Sequence, residues 1–356
     1  MTHAMLNNLF SFGYNIFSNK EYQLSYVAEN KDWVIKQIGR EIVSSLNRTK
    51  LLRARITTSH LGIKNQIIHF GSANTFFDRN GFPKPHQSNK LVLTWFHFVP
   101  EDKKNKNIIK AQNYLNFIHT ACNITKNNLL NLGVNSEKIV VIPLGVDLSL
   151  FKPVSLEEKQ KIKARFGMPP DKIVIGSFQK DGVGWREGLE PKLIKGPDIF
   201  VEVVEKLAKN YPILILLVGP ARGYIKNELQ KRNIPYKSVG LLKDFKEIAK
   251  YYHVLDLYLI TSRVEGGPKQ ILEAMASGIP LVSTKVGMVE DIAKDSKEIL
   301  LAEIENVNQI VAKSEELIQN GKLKDKLIES GLSKVQNYSW QRIVKEYYDK
   351  IYSKIL

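Results

Sequence analysis

Short apolar runs of strand length alternate with amphipathic helical stretches along most of the chain, and this alternation limits the fold more than any other feature. Runs bounded by polar turns read as strands buried on both faces, and the helical pattern between them supplies the crossover that parallel strands need. In the first half, strands are predicted at 22–28, 66–70, 91–96, 117–121 and 139–143. Helices are predicted at 32–46, with Asp32 as N-cap, and at 123–132. The segment 71–90 is long for a connection and is expected to be mobile in part. The second half predicts strands at 172–178, 213–218, 236–240, 255–261 and 280–284. Helices are predicted there at 197–209, 224–232, 244–251, 268–277 and through 305–334. Two prolines in PLGVDLSLFKPVS, 143–155, separate the two series. In the last stretch, 338–355, Trp340, Ile343, Val344, Tyr347, Ile351 and Ile355 fall on one helical face. The economical architecture is α/β, with doubly wound parallel-sheet domains over 1–150 and 151–337 and a terminal helix over 338–356. Residues 1–19 carry no assignment. A ligand is expected at the carboxyl ends of the strands, between the domains.

Composition narrows the function classes. At 356 residues, 43% of them apolar, the chain can bury a large core without disulfides or a structural metal. Its only cysteine, Cys122, cannot form an internal disulfide, and no Cys/His metal spacing occurs. Lys and Arg number 52 against 36 Asp and Glu, a net charge of +16 that favours an acidic partner: nucleic acid, an anionic membrane surface or a phosphorylated substrate. The basic residues are spread along the chain, with no helix-turn-helix, zinc finger or aromatic RNA-binding signature, so nucleic acid is the weakest of the three. No stretch approaches about 18 consecutive apolar residues, and residues 1–19 lack both a basic start and a continuous apolar core. A cytoplasmic protein with no signal peptide is expected.

The most informative segment is 262–284, SRVEGGPKQILEAMASGIPLVST. An apolar strand runs into a polar loop, and Glu265-Gly266-Gly267-Pro268 opens a helix that carries Glu273. Two glycines at a helix start let a ligand approach the backbone, where free amides and the helix dipole form an anion site. The plainer reading is a capped crossover with two solvated glutamates.

E-G-G-P-K-Q-I-L-E-A-M-A-S-G-I-P resembles the E-x7-E segment of family 4 retaining glycosyltransferases, which have the GT-B fold. Other segments agree in order. I142-P-L-G-V-D-L-S-L-F151 resembles the segment closing that family's first domain, and Lys195-Gly196 with PDIFVEVVEKLAKNYPILILLVG resembles its K-G-x-D region. The resemblance covers about 90–350 and is clearest beyond 139. It implies two Rossmann-like domains facing a cleft, with the terminal helix crossing back to the first.

By position, the resemblance assigns Glu273 to the nucleotide ribose hydroxyls and Glu265 to the transferred sugar. Gly266 and Gly267 would face the sugar and diphosphate, and Lys195 would neutralise the diphosphate. The family's arginine after the strand-end glycine is missing, since Ser177 follows Gly176. Lys180 could supply that charge, although Lys180, Arg186 and Lys192 each also read as surface charges. The insert 181–194 departs from the family's short spacing. So does the turn Asn30-Lys31-Asp32, where a glycine pair is usual. His97 ends the run LVLTWF; a lone histidine there is ordinarily structural, but the resemblance places it beside the transferred sugar. Gly71-Ser72 follows another strand into the same region, and His119 reads as structural.

The implied activity is transfer from a nucleotide-diphosphate sugar to a glycan, lipid-linked or small-molecule acceptor. No cofactor and no metal are expected, since Asp-x-Asp occurs nowhere. Peripheral contact with an anionic membrane is expected through 101–110, EDKKNKNIIK. The alternatives are a nucleotide-sugar epimerase or a phosphorylase on the same architecture, or a nucleic-acid-binding protein.

Overall fold

The computed structural model describes residues 12–13, 15–30, 33–78 and 81–356. The chain divides into two compact units, one ending at Gly145 and resuming over Trp340–Leu356, the other Val146–Ser339. The pattern-based boundaries stand beside these, at 150 and 337.

The first unit contains β1 (Leu24–Val27), α1 (Val34–Arg48), β2 (Ala54–Thr57), β3 (Ile67–Phe70), α2 (Ala73–Phe76), β4 (Lys90–Thr94), α3 (Lys104–Ala111), β5 (Phe117–Thr120), α4 (Asn123–Asn131) and β6 (Ile139–Val141). Its sheet is wholly parallel, in the order β2-β1-β3-β4-β5-β6. The predicted N-cap Asp32 lies outside the described residues. Within 71–90, Ser72 caps α2 through a reciprocal pair of bonds with Thr75.

The second unit contains α5 (Leu156–Arg165), β7 (Ile173–Ser177), α6 (Pro197–Ala208), β8 (Ile213–Val218), α7 (Gly223–Lys231), β9 (Tyr236–Val239), α8 (Ile248–Tyr252), β10 (Leu257–Ile260), α9 (Lys269–Ala276), β11 (Leu281–Thr284), α10 (Val289–Ile292), β12 (Leu300–Ala302), α11 (Val307–Gln319) and α12 (Gly321–Val335). The order is β12-β11-β10-β7-β8-β9, again all parallel. All six residues of β8, ILILLV, are buried, as a central parallel strand requires. Helix α6 begins with Pro197, whose missing N–H costs nothing in a first turn, and buries Phe200, Val203, Val204 and Leu207.

Six of these elements are absent from the sequence reading: β2, α2, α3, α5, α10 and β12. Strands β2 (ARIT) and β12 (LLA) are too short to show a pattern. Helix α5 has no buried residue, so no apolar stripe announces it. It is held instead by its Ser155 cap and by Lys159 and Lys163, which pair with Asp256 at 2.8 and 2.7 Å.

The C-terminal helix Trp340–Lys350 belongs to the first unit and buries Trp340, Ile343, Val344 and Tyr347. Gly145 admits it: a Cβ there would lie 2.6 Å from the Trp340 ring. Beneath it runs a buried polar chain whose protons can be placed. His119 Nε2 lies 2.8 Å from the Ile142 carbonyl, which can only accept, so Nε2 carries the hydrogen. His119 Nδ1 then accepts from Thr94 Oγ1 at 3.0 Å, and Thr94 accepts from His69 Nε2 at 2.7 Å. His69 Nδ1 accepts from the Tyr352 hydroxyl at 2.7 Å. Both histidines are neutral in this arrangement. Burial pushes their pKa values down, His119 from 6.5 to about 4, and His69 well below its ordinary value with the neighbouring His119 adding to the effect.

This chain makes stability pH-dependent in a defined window. Above pH 6.5 neither the folded nor the unfolded chain protonates these rings. As pH falls from 6.5 toward 4, the unfolded chain takes up protons that the folded one refuses, and stability is lost. His119 alone should account for about 3 kcal/mol across that window. Urea titrations at pH 7 and pH 4.5 should show the loss, and His119→Gln should flatten it.

Candidate functional site

A doubly wound sheet leaves a crevice where its strand order reverses, because the loops after the two flanking strands depart in opposite directions. In the second unit that point lies between β7 and β10. The loop after β7 leads to Lys180 and onward to Lys195; the loop after β10 carries Ser262 and Glu265.

Gly196 joins these loops. It adopts φ +60°, and a Cβ there would fall 1.9 Å from the Thr261 carbonyl oxygen. The Thr261 hydroxyl donates to the Gly196 carbonyl at 2.9 Å. No other residue fits so close an approach in a left-handed conformation. The contact sets Lys195 against the second loop. Its ammonium lies 2.7 Å from both carboxylate oxygens of Glu265, and Ser262 Oγ donates to one of them at 2.9 Å. Glu265 is 8% exposed, so it is not a solvated loop residue.

Two more lysines stand close by. The Lys192 pKa is lowered, first by burial and then by the ammonium groups of Lys195 and Lys180, with Glu265 opposing. Lys180 Nζ sits 5.0 Å from the centre of the Trp185 ring and donates to the Gly182 carbonyl at 3.3 Å.

Glu273, on α9, is 2% exposed. It accepts from the buried Tyr252 hydroxyl at 2.8 Å and pairs at 3.0 Å with Lys269, one turn earlier on the same helix. Gly266 is buried and Gly267 half-buried between Glu265 and Pro268, which caps α9. Gly287, at φ +54°, backs this loop, since a Cβ there would come within 2.7 Å of the Gly266 carbonyl.

The residues that sequence reasoning missed are Arg222 and Asp181. Arg222, from the loop before α7, donates to the Ser177 carbonyl at 2.6 Å and Ser177 Oγ at 3.0 Å, and pairs with Asp181 at 3.0 Å. An arginine therefore does stand at the end of β7, but it reaches there from a different loop. Burial raises the Asp181 pKa, and the Arg222 guanidinium works against that rise. The pair ties down the start of the 181–194 insert. No local signal points to it, because its members are joined only by the fold.

In the first unit the strand order reverses between β1 and β3. Gly71-Ser72 follows β3 there, and Ser72 Oγ lies 3.4 Å from Glu29. His97 is exposed just beyond β4, whereas His119 is wholly buried in the chain beneath the terminal helix. Among the described residues, no group of three or more His, Cys, Asp or Glu side chains is placed to hold a metal ion.

Residues 189–334 match the family model for Glycosyl transferases group 1, a stretch that includes Lys192, Lys195, Glu265 and Glu273. The fold is GT-B. Anabaena Alr3699/HepE, solved in complex with UDP and glucose, superposes with a TM-score of 0.74 over 94% of this chain and 100% of its own, at 15% identity. An uncharacterized glycosyltransferase of Methanocaldococcus jannaschii is 31% identical over 152 residues, 42% of each chain. The MMP alpha-(1->4)-mannosyltransferase of Mycolicibacterium hassiacum is 26% identical over 258 residues, 72% of this chain and 57% of its own. The matched regions span about half the length of these curated relatives.

Proposed function

We propose that this chain is a retaining glycosyltransferase of the E-x7-E type, moving a sugar from a nucleotide-diphosphate sugar to a glycan, lipid-linked or small-molecule acceptor. The observation that carries this reading is the cluster of lysines around Glu265 at the switch point of the second unit. Lys180, Lys192 and Lys195 gather beside Glu265, which Lys195 holds, while Asp181 pairs with Arg222. A cluster of ammonium groups has the sign a diphosphate needs. HepE, of the same fold, was solved with UDP and with UDP-glucose, which makes uridine nucleotides the first donors to try.

When the sugar–phosphate bond breaks, negative charge grows on the diphosphate. Preorganised cations stabilise it at no further reorganisation cost. Lys195 and Lys180 take that role, with the amides of Gly266 and Gly267 beside them. Glu273 accepts the ribose hydroxyls, held in place by Tyr252 and Lys269. Glu265, held by Lys195, orients the transferred sugar. His97 is proposed to contact the sugar or acceptor. For retention, the acceptor enters on the face the diphosphate leaves. An assay with donor alone that yields an epimerised sugar would replace this reading with an epimerase.

The two glutamates should separate experimentally. Glu273→Ala should weaken nucleoside diphosphate binding, and Glu265→Gln should leave that binding intact while cutting turnover. Each effect should be about 10- to 150-fold, the loss of a charged hydrogen bond. Equal effects on nucleotide affinity in calorimetry would refute the division of roles.

Catalysis should need no divalent metal. Lys195, Lys180 and the helix-start amides together are proposed to stand in for the charge that Mg²⁺ would add. Full turnover in excess EDTA is expected; activity lost there and restored by Mg²⁺ or Mn²⁺ would refute the electrostatic account.

Contact with an anionic membrane is proposed for the first unit. Around α3, Lys103, Lys106 and Lys110 are exposed while Ile108 points inward, which gives the segment a basic face. Among the described residues, no helix is long and apolar enough to cross a membrane. Salt-sensitive partition onto anionic vesicles and none onto neutral ones is the expected result; equal partition onto both would end the idea.

A further inference from the structure

One arginine ties together two strand ends and the start of the 181–194 insert. Arg222 lies in the loop between β8 and α7 and is 3% exposed. At the end of β7 its guanidinium donates to the Ser177 carbonyl at 2.6 Å and to Ser177 Oγ at 3.0 Å. At the end of β8 it donates to the Val218 carbonyl at 3.2 Å. It also pairs at 3.0 Å with Asp181, which is wholly buried. A buried ion pair is a weak source of stability, since apolar side chains of the same volume commonly serve as well. Stability therefore does not account for this one. An apolar pair could not bond both strand ends and hold the insert at once.

The backbone beside Arg222 is strained. Ala221 adopts φ +56°, a left-handed conformation that costs any residue carrying a Cβ. Such strain persists only where the surroundings over-determine it. Here they do. Gly182 and Gly188 pack so closely on this loop that a Cβ on either would fall 2.4 Å from the Ala221 carbonyl oxygen. Just beyond, Gly223 N–H donates to the Glu187 carbonyl at 2.7 Å and Tyr224 N–H to the Gly188 carbonyl at 2.9 Å. The insert and the Arg222 loop are thus clamped to each other.

From this clamp two hydrogen-bonded lines run to the same residue. Along one, the Lys192 N–H donates to the Asp181 carbonyl at 2.7 Å, and the Lys195 N–H to the Lys192 carbonyl at 2.8 Å. Along the other, Gln179, just past Ser177, donates through Nε2 to the Lys195 carbonyl at 3.1 Å. The N–H and the carbonyl of Lys195 are both held by segments that Arg222 fixes. Gly196 against Thr261 holds the same residue from the side of β10.

We infer that Arg222, together with Asp181, is a positioning residue that acts through Lys195, setting where that ammonium meets the diphosphate without touching the ligand itself. This rests on the nucleotide-sugar reading above.

The test is a double-mutant cycle between the pair and Lys195 on the full chain. Calorimetry with UDP, GDP and ADP selects the tightest-binding nucleotide, and displacing it measures the affinity of its nucleoside. Asp181→Asn/Arg222→Met removes both charges together, so no buried charge is left unpaired. Lys195→Gln removes the ammonium and keeps a donor for Glu265. With Lys195 present, the first change should weaken diphosphate binding at least about twofold, the lower end of coupling within one hydrogen-bonded network. Nucleoside affinity should stay as in the wild type. Combined with Lys195→Gln, the change should cost nothing further. A protein merely loosened would lose both ligands, and would lose them whether or not Lys195 is present. Where the neutral pair does not fold, as judged by circular dichroism and thermal melting, Arg222→Lys takes its place with the same expectation. One ammonium keeps the charge beside Asp181 but cannot span both strand ends. If neither variant folds, the pair is structural and the inference fails. Unchanged diphosphate affinity, an equal loss for the nucleoside, or the same loss repeated with Lys195→Gln would overturn the inference and leave the transferase reading standing. Unchanged diphosphate affinity in Lys195→Gln alone would overturn it together with the role assigned to Lys195. Wild-type protein that binds none of the three nucleotides would overturn both readings.

Discussion

A parallel sheet that grows outward from its middle must reverse its strand order once, and at that reversal two loops part and leave backbone and side chains open to a ligand. In the second unit this happens between β7 and β10. No later feature of the site could exist without it. The loop after β7 must run to α6 and the loop after β10 to α9, so Lys195 and Glu265 meet only because both loops start beside the same pair of strands. The close approach of Gly196 to the Thr261 carbonyl sets how near they come. A methyl group there would push the loops apart and separate the ion pair.

Burying a carboxylate costs several kcal/mol unless a cation and hydrogen bonds replace its water. The two glutamates meet that demand differently. Glu273 finds its lysine one turn away on α9, so its pairing survives any shift of the helix as a body. Glu265 depends on Lys195 from another loop, and that pair forms only when both loops are in place. The first arrangement suits a group that anchors a ligand part common to all donors. The second suits one whose partner must also serve the leaving group.

Most of the strands, and the glycine-rich helix start of the candidate site, are legible in the sequence, because burial on both faces leaves continuous apolar runs such as ILILLV and that helix start is local. What could not be read is what depends on distant contacts. Helix α5 buries nothing and is held by charge pairs to Asp256, so no periodicity marks it. Strands β2 and β12 owe their form to neighbours already in the sheet. The burial of Glu265 and Glu273 was equally hidden, since a carboxylate in a polar loop or beside a lysine on a helix reads as solvated until the surrounding packing is known. Arg222 shows the same limit from the other side: a search for an arginine directly after Gly176 cannot find one that arrives from the next crossover.

Each unit holds one conspicuous polar cluster, and the difference between them separates structure from function. Beneath the terminal helix, Tyr352, His69, Thr94, His119 and the Ile142 carbonyl form a chain of neutral groups in which each link matches one donor to one acceptor. Nothing in that chain lacks a partner, so it fixes the helix and offers a ligand nothing. At the switch point of the second unit charged groups gather instead: Lys180, Lys192 and Lys195 cluster beside Glu265, and Lys180 also meets the Gly182 carbonyl and the Trp185 ring. Repulsion among those ammonium groups is offset in part by the Glu265 carboxylate that Lys195 holds. An anion placed among those ammonium groups would lower their mutual repulsion, which is why a cluster of this sign suits a negatively charged ligand.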